Sequence, residues 1–147
     1  MIGRLRGTLV ALRPTAVVLD VAGVGYEVVV TPRSVAQLPT VGEEVVVHTH
    51  LVVREDALVI HGFGSEAERD LFRVLLTASG VGPKVAMATL GALQPDEFRR
   101  AIAAEDIDTL TISVRDVSGK CPKSYQEAFA GWDDGVFSKT VRTIESE

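Results

Sequence analysis

Valine sets the rhythm of the first 63 residues. The strings GTLVALR, AVVLDVAG, VGYEVVVTP, EEVVVHTHLVV and ALVIHGF are short, β-branched and partly alternating, which predicts five strands. Turn residues separate them at Pro14, Ala22–Gly23, Pro39 to Gly42 and Arg54-Glu55-Asp56. PRSVAQLP, between the third and fourth strands, has room for one helical turn. Five short strands with one small helix predict a barrel of the OB type, with an SH3-like barrel as the other arrangement the pattern allows.

At Ser65 the period changes. SEAERDLFRVLLTAS places apolar residues at 71, 72, 75 and 76, the spacing of one helix face. Ser65 with Glu68 forms a capping-box pattern at its start, and Gly80 marks its expected end. Pro83 suits the first turn of a second helix, PKVAMATLG, because its missing N–H is not needed there. Pro95 opens a third, PDEFRRAIAAED, and a short fourth, IDTL, follows. The class is α+β. It comprises a five-stranded OB-type barrel over residues 1–63, a helical domain over 64–110, and a tail of weak periodicity over 111–147 that holds Cys121 and the single Trp.

Composition narrows the reading. A hydrophobic fraction of 46% supports a packed core rather than disorder. No apolar run approaches a membrane span, and MIGRLRGTLV lacks the features of a signal peptide. The single cysteine excludes an intramolecular disulfide and fits a reducing compartment, so a cytoplasmic location is expected. The net charge of −5 argues against a protein that binds nucleic acid through a broad basic surface. Basic and acidic groups number 5 and 6 over residues 1–63, 5 and 8 over 64–110, and 5 and 6 over 111–147, so no segment is a polybasic arm. Any grip on DNA must come from a few well-placed cations and local geometry.

Ser79-Gly80-Val81-Gly82-Pro83-Lys84 is the place where such geometry can arise. Glycines between two helices permit a tight hairpin and close approach of another backbone. The second helix then presents unsatisfied N–H groups and a partial positive charge, to which a phosphate fits without any base contact. Lys84 adds a point charge. This is the helix-hairpin-helix device for holding DNA by its backbone, blind to sequence. The same string also reads as a plain turn between helices, and locally the two readings stand side by side.

Other constellations are weaker. His48 and His50 share one strand face, but no cysteine or carboxylate cluster accompanies them, so a solvated or partly packed strand is the simpler account and no metal site is expected. GVFSKT at 135–140 lacks the second glycine of a P-loop. GVG within DVAGVGYEV lies between strands, where a hairpin turn is natural. Ser, His and Asp form no pattern for nucleophilic catalysis, so no catalytic residue and no cofactor are expected. Arg54, Glu55 and Asp56 form a charged turn whose carboxylates would repel phosphate.

Taken together, MIGRLRGTL, VAGVGYEV, VVREDALVIHGF, ERDLF and GVGPKVAMATL make the chain resemble the RuvA family, in register from residue 1 to about 110. The resemblance implies a non-catalytic subunit that binds four-way (Holliday) junction DNA during homologous recombination and repair. It implies a homotetramer or octamer, with the hexameric ATPase RuvB and the junction nuclease RuvC as partners. It implies that Glu55 and Asp56 form an acidic pin at the junction centre. Arg54 would meet the backbone beside it, and Ser79, Gly80, Val81, Gly82 and Lys84 would form the first phosphate-binding hairpin.

The family's second hairpin is expected after AEDIDTLT, where this chain reads ISVRDVSGKCPKSYQEAF. Gly119 and Lys123 are its candidate residues in degenerate form, with Cys121 where a second glycine is expected. The RuvB-binding domain has no visible counterpart in the tail, which leaves RuvB docking open. Two other functions fit the residues: a general OB and helix-hairpin-helix module for duplex or single-stranded DNA, and a folded but inactive, truncated remnant.

Overall fold

The computed structural model of the protein describes residues 1–77 and 81–104. Two compact units divide the chain, Met1–Arg69 and Asp70–Glu147.

The first unit is a closed barrel. Its strands are β1 (Arg4–Leu12), β2 (Ala16–Val21), β3 (Val24–Val29), β4 (Glu44–Val53) and β5 (Leu58–Phe63), with helix α1 (Pro32–Gln37) between β3 and β4. They close in the order β1-β2-β3-β5-β4, so β1 pairs with β4 and β3 runs parallel to β5. That is the OB-type arrangement expected from five valine-rich strands and a small helix. β1 begins earlier than the valine pattern suggested. Arg4 and Arg6 alternate with the buried Leu5, and Arg6 Nε meets Glu44 Oε1 of β4 at 2.9 Å.

Alternation decides what the barrel encloses. Leu5, Leu9, Val17, Leu19, Val28, Val30 and Val47 form its core. Gly62 faces the same interior, where an added Cβ would overlap Val28 and Val47. Only hydrogen fits there. The β2–β3 turn is made by Ala22 at φ +52° and Gly23 at φ +90°, with the Gly23 N–H donated to Asp20 Oδ1 at 2.8 Å. Two successive positive φ values match the twist of the flanking strands. α1 is capped by Thr31, whose Oγ1 accepts the Ser34 N–H at 3.1 Å, and Pro32 opens its first turn.

Helix α2 (Glu66–Leu76) starts where the capping pattern placed it, with Ser65 Oγ accepting the Glu68 N–H at 3.2 Å. It stops before Gly80. Thr77 donates both its N–H and its hydroxyl to the Val74 carbonyl, at 3.0 and 2.6 Å, which tightens the last turn and ends the α-helical ladder. In the second unit α3 (Pro83–Ala92) and α4 (Pro95–Ala103) follow. Phe72, Leu75, Ala86, Leu90, Phe98 and Ile102 are among its buried side chains. Glu97 reaches back to the Gln94 N–H at 3.3 Å and closes the start of α4. The expected short helix at 107–110 lies outside the described residues.

Candidate nucleic-acid interface

Two exposed turns among the described residues hold the charged side chains singled out in the sequence, and they differ in sign. The first is the tip of the β4–β5 hairpin. β4 and β5 pair from His48–Phe63 to Val53–Leu58. Beyond them the Arg54 N–H is donated to the Ala57 carbonyl at 2.8 Å, which leaves Glu55 and Asp56 as the two residues of the turn. Arg54, Glu55 and Asp56 are all exposed. Neither carboxylate residue has a positive φ, unlike the β2–β3 turn. Without the primed-turn twist, the Glu55–Asp56 turn is free to take acidic residues in place of glycine. The tip is a charged triplet at the end of a two-stranded arm.

The second place is the start of α3. Gly82 is its N-cap, in extended conformation at φ −97° and ψ −178°, and Pro83 is its first residue. The Gly82 carbonyl accepts the Ala86 N–H at 3.0 Å, the first bond of the helix. No side chain caps this end, so the N–H groups of Lys84 and Val85 point out of the helix start without an intrahelical acceptor. Val81 is buried and anchors the turn, while Lys84 is exposed. Gly82 is not there for a positive φ. Among the described residues an added Cβ would meet nothing within 4 Å, so the approach to the helix N-terminus is open on this side. The geometry brings Val81, Gly82 and Lys84 together. Ser79 and Gly80, and Gly119 and Lys123 of the second candidate hairpin, lie outside the described residues.

One feature near the first place escaped the periodicity. His61 of β5 is directly opposite His50 of β4, so a third imidazole joins His48 and His50 on that side of the sheet. His61 is only 6% exposed, and its pKa is pushed down to about 4, first by burial and then by the charges of His50 and Arg54. The signal available in sequence was the strand register. Counting back from the Arg54–Ala57 turn pairs 50 with 61. Glu68 is shifted the other way, its pKa raised by burial against the opposing pull of Arg33 and the Gly64 backbone. Among the described residues, no group of three or more His, Cys, Asp or Glu is placed to hold a metal ion, and no helix is long and apolar enough to cross a membrane.

The RuvA N terminal domain family matches residues 1–62, which is the barrel. The Holliday junction branch migration complex subunit RuvA of Pseudomonas aeruginosa is 46% identical over 138 residues, covering 91% of this chain and 68% of that protein. The protein of the same name from Pseudomonas fluorescens is 52% identical over 111 residues, covering 76% of this chain and 55% of its own. The one from Pseudomonas syringae is 53% identical over 111 residues, with the same coverage. At 91% of the chain, the similarity to the Pseudomonas aeruginosa protein extends past residue 110 into the tail. The family match over the barrel and the identity over most of the length agree, and the chain belongs to the RuvA family.

Proposed function

We propose that this chain binds four-way DNA junctions, without regard to sequence, as the non-catalytic architectural subunit of a branch-migration complex. The observation that carries the reading is the pair of exposed carboxylates, Glu55 and Asp56, at the end of an arm built into the barrel. A surface meant for continuous duplex gains nothing from carboxylates at its most prominent point. At about 5 Å a carboxylate and a phosphate repel by about 1 kcal/mol in water, and by more where water is excluded. A surface meant for a place where strands part gains a device that keeps phosphates away from the crossover.

Affinity then comes from the helical unit. The open N-terminus of α3, with Gly82 and Lys84, takes a phosphate of a DNA arm, and Arg54 takes one beside the tip. By the family resemblance, Ser79 and Gly80 belong to the same hairpin, and Gly119 and Lys123 are candidates for a degenerate second one; all four lie outside the described residues. The assembly is a homotetramer, single or stacked as an octamer, which brings one tip from each subunit to the centre. RuvB supplies the ATP hydrolysis, and RuvC belongs to the same pathway. This chain contributes binding and shape.

Competition gel shifts at fixed salt test the proposal. A four-way junction should outcompete linear duplex of the same sequence, and single strands should compete no better than duplex. Strong but equal affinity for all forms would favour a general OB and helix-hairpin-helix module. Weak and equal affinity would favour an inactive remnant.

A further inference from the structure

The outer end of the β4–β5 arm is apolar on both faces. β1 pairs with β4 only from Glu44 to His48, and β3 pairs with β5 only at Ile60 and His61. Beyond those positions the arm is two strands wide. The last three pairs of the hairpin are Leu51–Ile60, Val52–Val59 and Val53–Leu58, all aliphatic, and the outer two lie beyond both neighbouring strands. A strand that faces water alternates apolar and polar residues, and this one does not until Arg54. Val53 and Leu58 are 67% and 71% exposed, so the outermost pair forms one continuous apolar patch directly beneath Glu55 and Asp56.

Single exposed aliphatic side chains need no explanation. A cross-strand pair of them at the base of a carboxylate turn is different, because the two features select the same partner. Phosphate is repelled by the carboxylates and gains nothing from aliphatic carbon. The one part of a nucleic acid that is both uncharged and flat is the face of a base, and it is available only where the stack is open. Aliphatic side chains such as leucine and isoleucine are known to wedge between base steps and hold them apart. We propose that Val53 and Leu58 form an apolar collar that packs against the faces of bases unstacked at the crossover. The charged tip keeps phosphates off, and the collar takes up the bases that are exposed as a result. This inference rests on the junction-binding reading above.

The test uses a four-way junction carrying, next to the crossover, a fluorescent purine analogue whose emission is quenched by stacking. Wild-type protein should raise the emission on binding. A Val53→Thr, Leu58→Gln double variant keeps the length of the arm and leaves the phosphate-binding groups alone, so it should bind within roughly threefold of wild type. It should lose at least about half of the emission gain, because the wedge that offsets the unstacking cost is gone. Leu58→Phe should increase the gain, since an aromatic ring stacks on a base better than an aliphatic chain does. Equal gains from wild type and the double variant, at saturation and with the same fold by circular dichroism, would overturn the collar. So would a change in solution mass with unchanged emission, which would mean that the patch is covered by a second copy of the chain. Failure of wild type to prefer the junction over linear duplex would overturn the parent reading as well, and the competition gel reports that separately.

Discussion

The tip of the β4–β5 arm and the start of α3 are both short exposed turns, yet they are built on opposite principles. The tip closes with a backbone hydrogen bond from Arg54 to Ala57 and displays two carboxylates. The start of α3 is left uncapped and displays bare N–H groups beside Lys84. One turn presents charge that phosphate avoids, the other presents charge that phosphate seeks. The contrast shows how a protein with a net charge of −5 can hold DNA. Under the proposed function, attraction is needed only at a few points on the DNA arms, and repulsion at the crossover converts attraction for DNA in general into preference for one shape of it.

Acid should separate the two regions most. His61, behind the tip, is neutral in the fold because burial holds its pKa near 4. The unfolded chain takes up that proton near its ordinary value of 6.5. Stability from the neutral imidazole is therefore complete above pH 6.5 and is lost as the pH falls toward 4. The loss amounts to about 2 kcal/mol once screening by solvent is allowed for. Urea unfolding at pH 7.5 and 4.5 measures it, and His61→Phe should remove most of the slope. A pH dependence unaltered by that substitution would break the assignment.

Next in size is Lys84→Ala, which should weaken binding of junction and duplex alike by roughly tenfold, the cost of removing one charge-assisted hydrogen bond to phosphate. The slope of log affinity against log salt should flatten by about 0.9 for each phosphate no longer neutralised. A slope equal to that of wild type would reduce the start of α3 to a plain turn. Replacing Glu55 with Gln and Asp56 with Asn should do the opposite. Junction binding should hold or tighten by about threefold, while preference over linear duplex falls. Markedly weaker junction binding by the folded double variant would erase the contrast between the two regions.

The smallest effect sharpens the account of Gly82. Its φ of −97° is available to any residue and a Cβ would have open space, so Gly82→Ala should change stability by less than about 0.5 kcal/mol. Binding should still fall, because the methyl group stands where a phosphate approaches. Loss of stability without loss of binding would reverse that reading.

How far the sequence showed this in advance depended on the kind of signal. The barrel was legible because alternation and turn chemistry act locally, as at Ala22–Gly23 and in the valine runs. The start of α3 was legible for the same reason, with Pro83 after Gly82. At Gly82 the string of letters left two uses open, a tight turn and a close approach of another backbone, and only the φ of −97° removes the need for a left-handed conformation. The His50–His61 pair was hidden because it depends on register across a hairpin, and the end of α2 because one hydroxyl, that of Thr77, outweighed the helical pattern that continues beyond it. The charged turn at 54–56 could be read directly. What lies under it, the exposed Val53 and Leu58, emerges only once the neighbouring strands are seen to stop short.

The order of strands around the barrel has a consequence for how the protein comes into being. β1 finds its outer partner in β4, about forty residues later in the chain, and β3 waits for β5 across the whole of α1 and β4. The meander of β1, β2 and β3 can form from near neighbours, but its two free edges are covered only in a late step with distant partners, the kind that folds slowly. The strands that complete this step are β4 and β5, the same two that carry the tip. During synthesis the barrel cannot close before the β4–β5 arm has been made. A nascent chain that stalls before Phe63 would expose two unsatisfied edges rather than a folded protein with a missing tool.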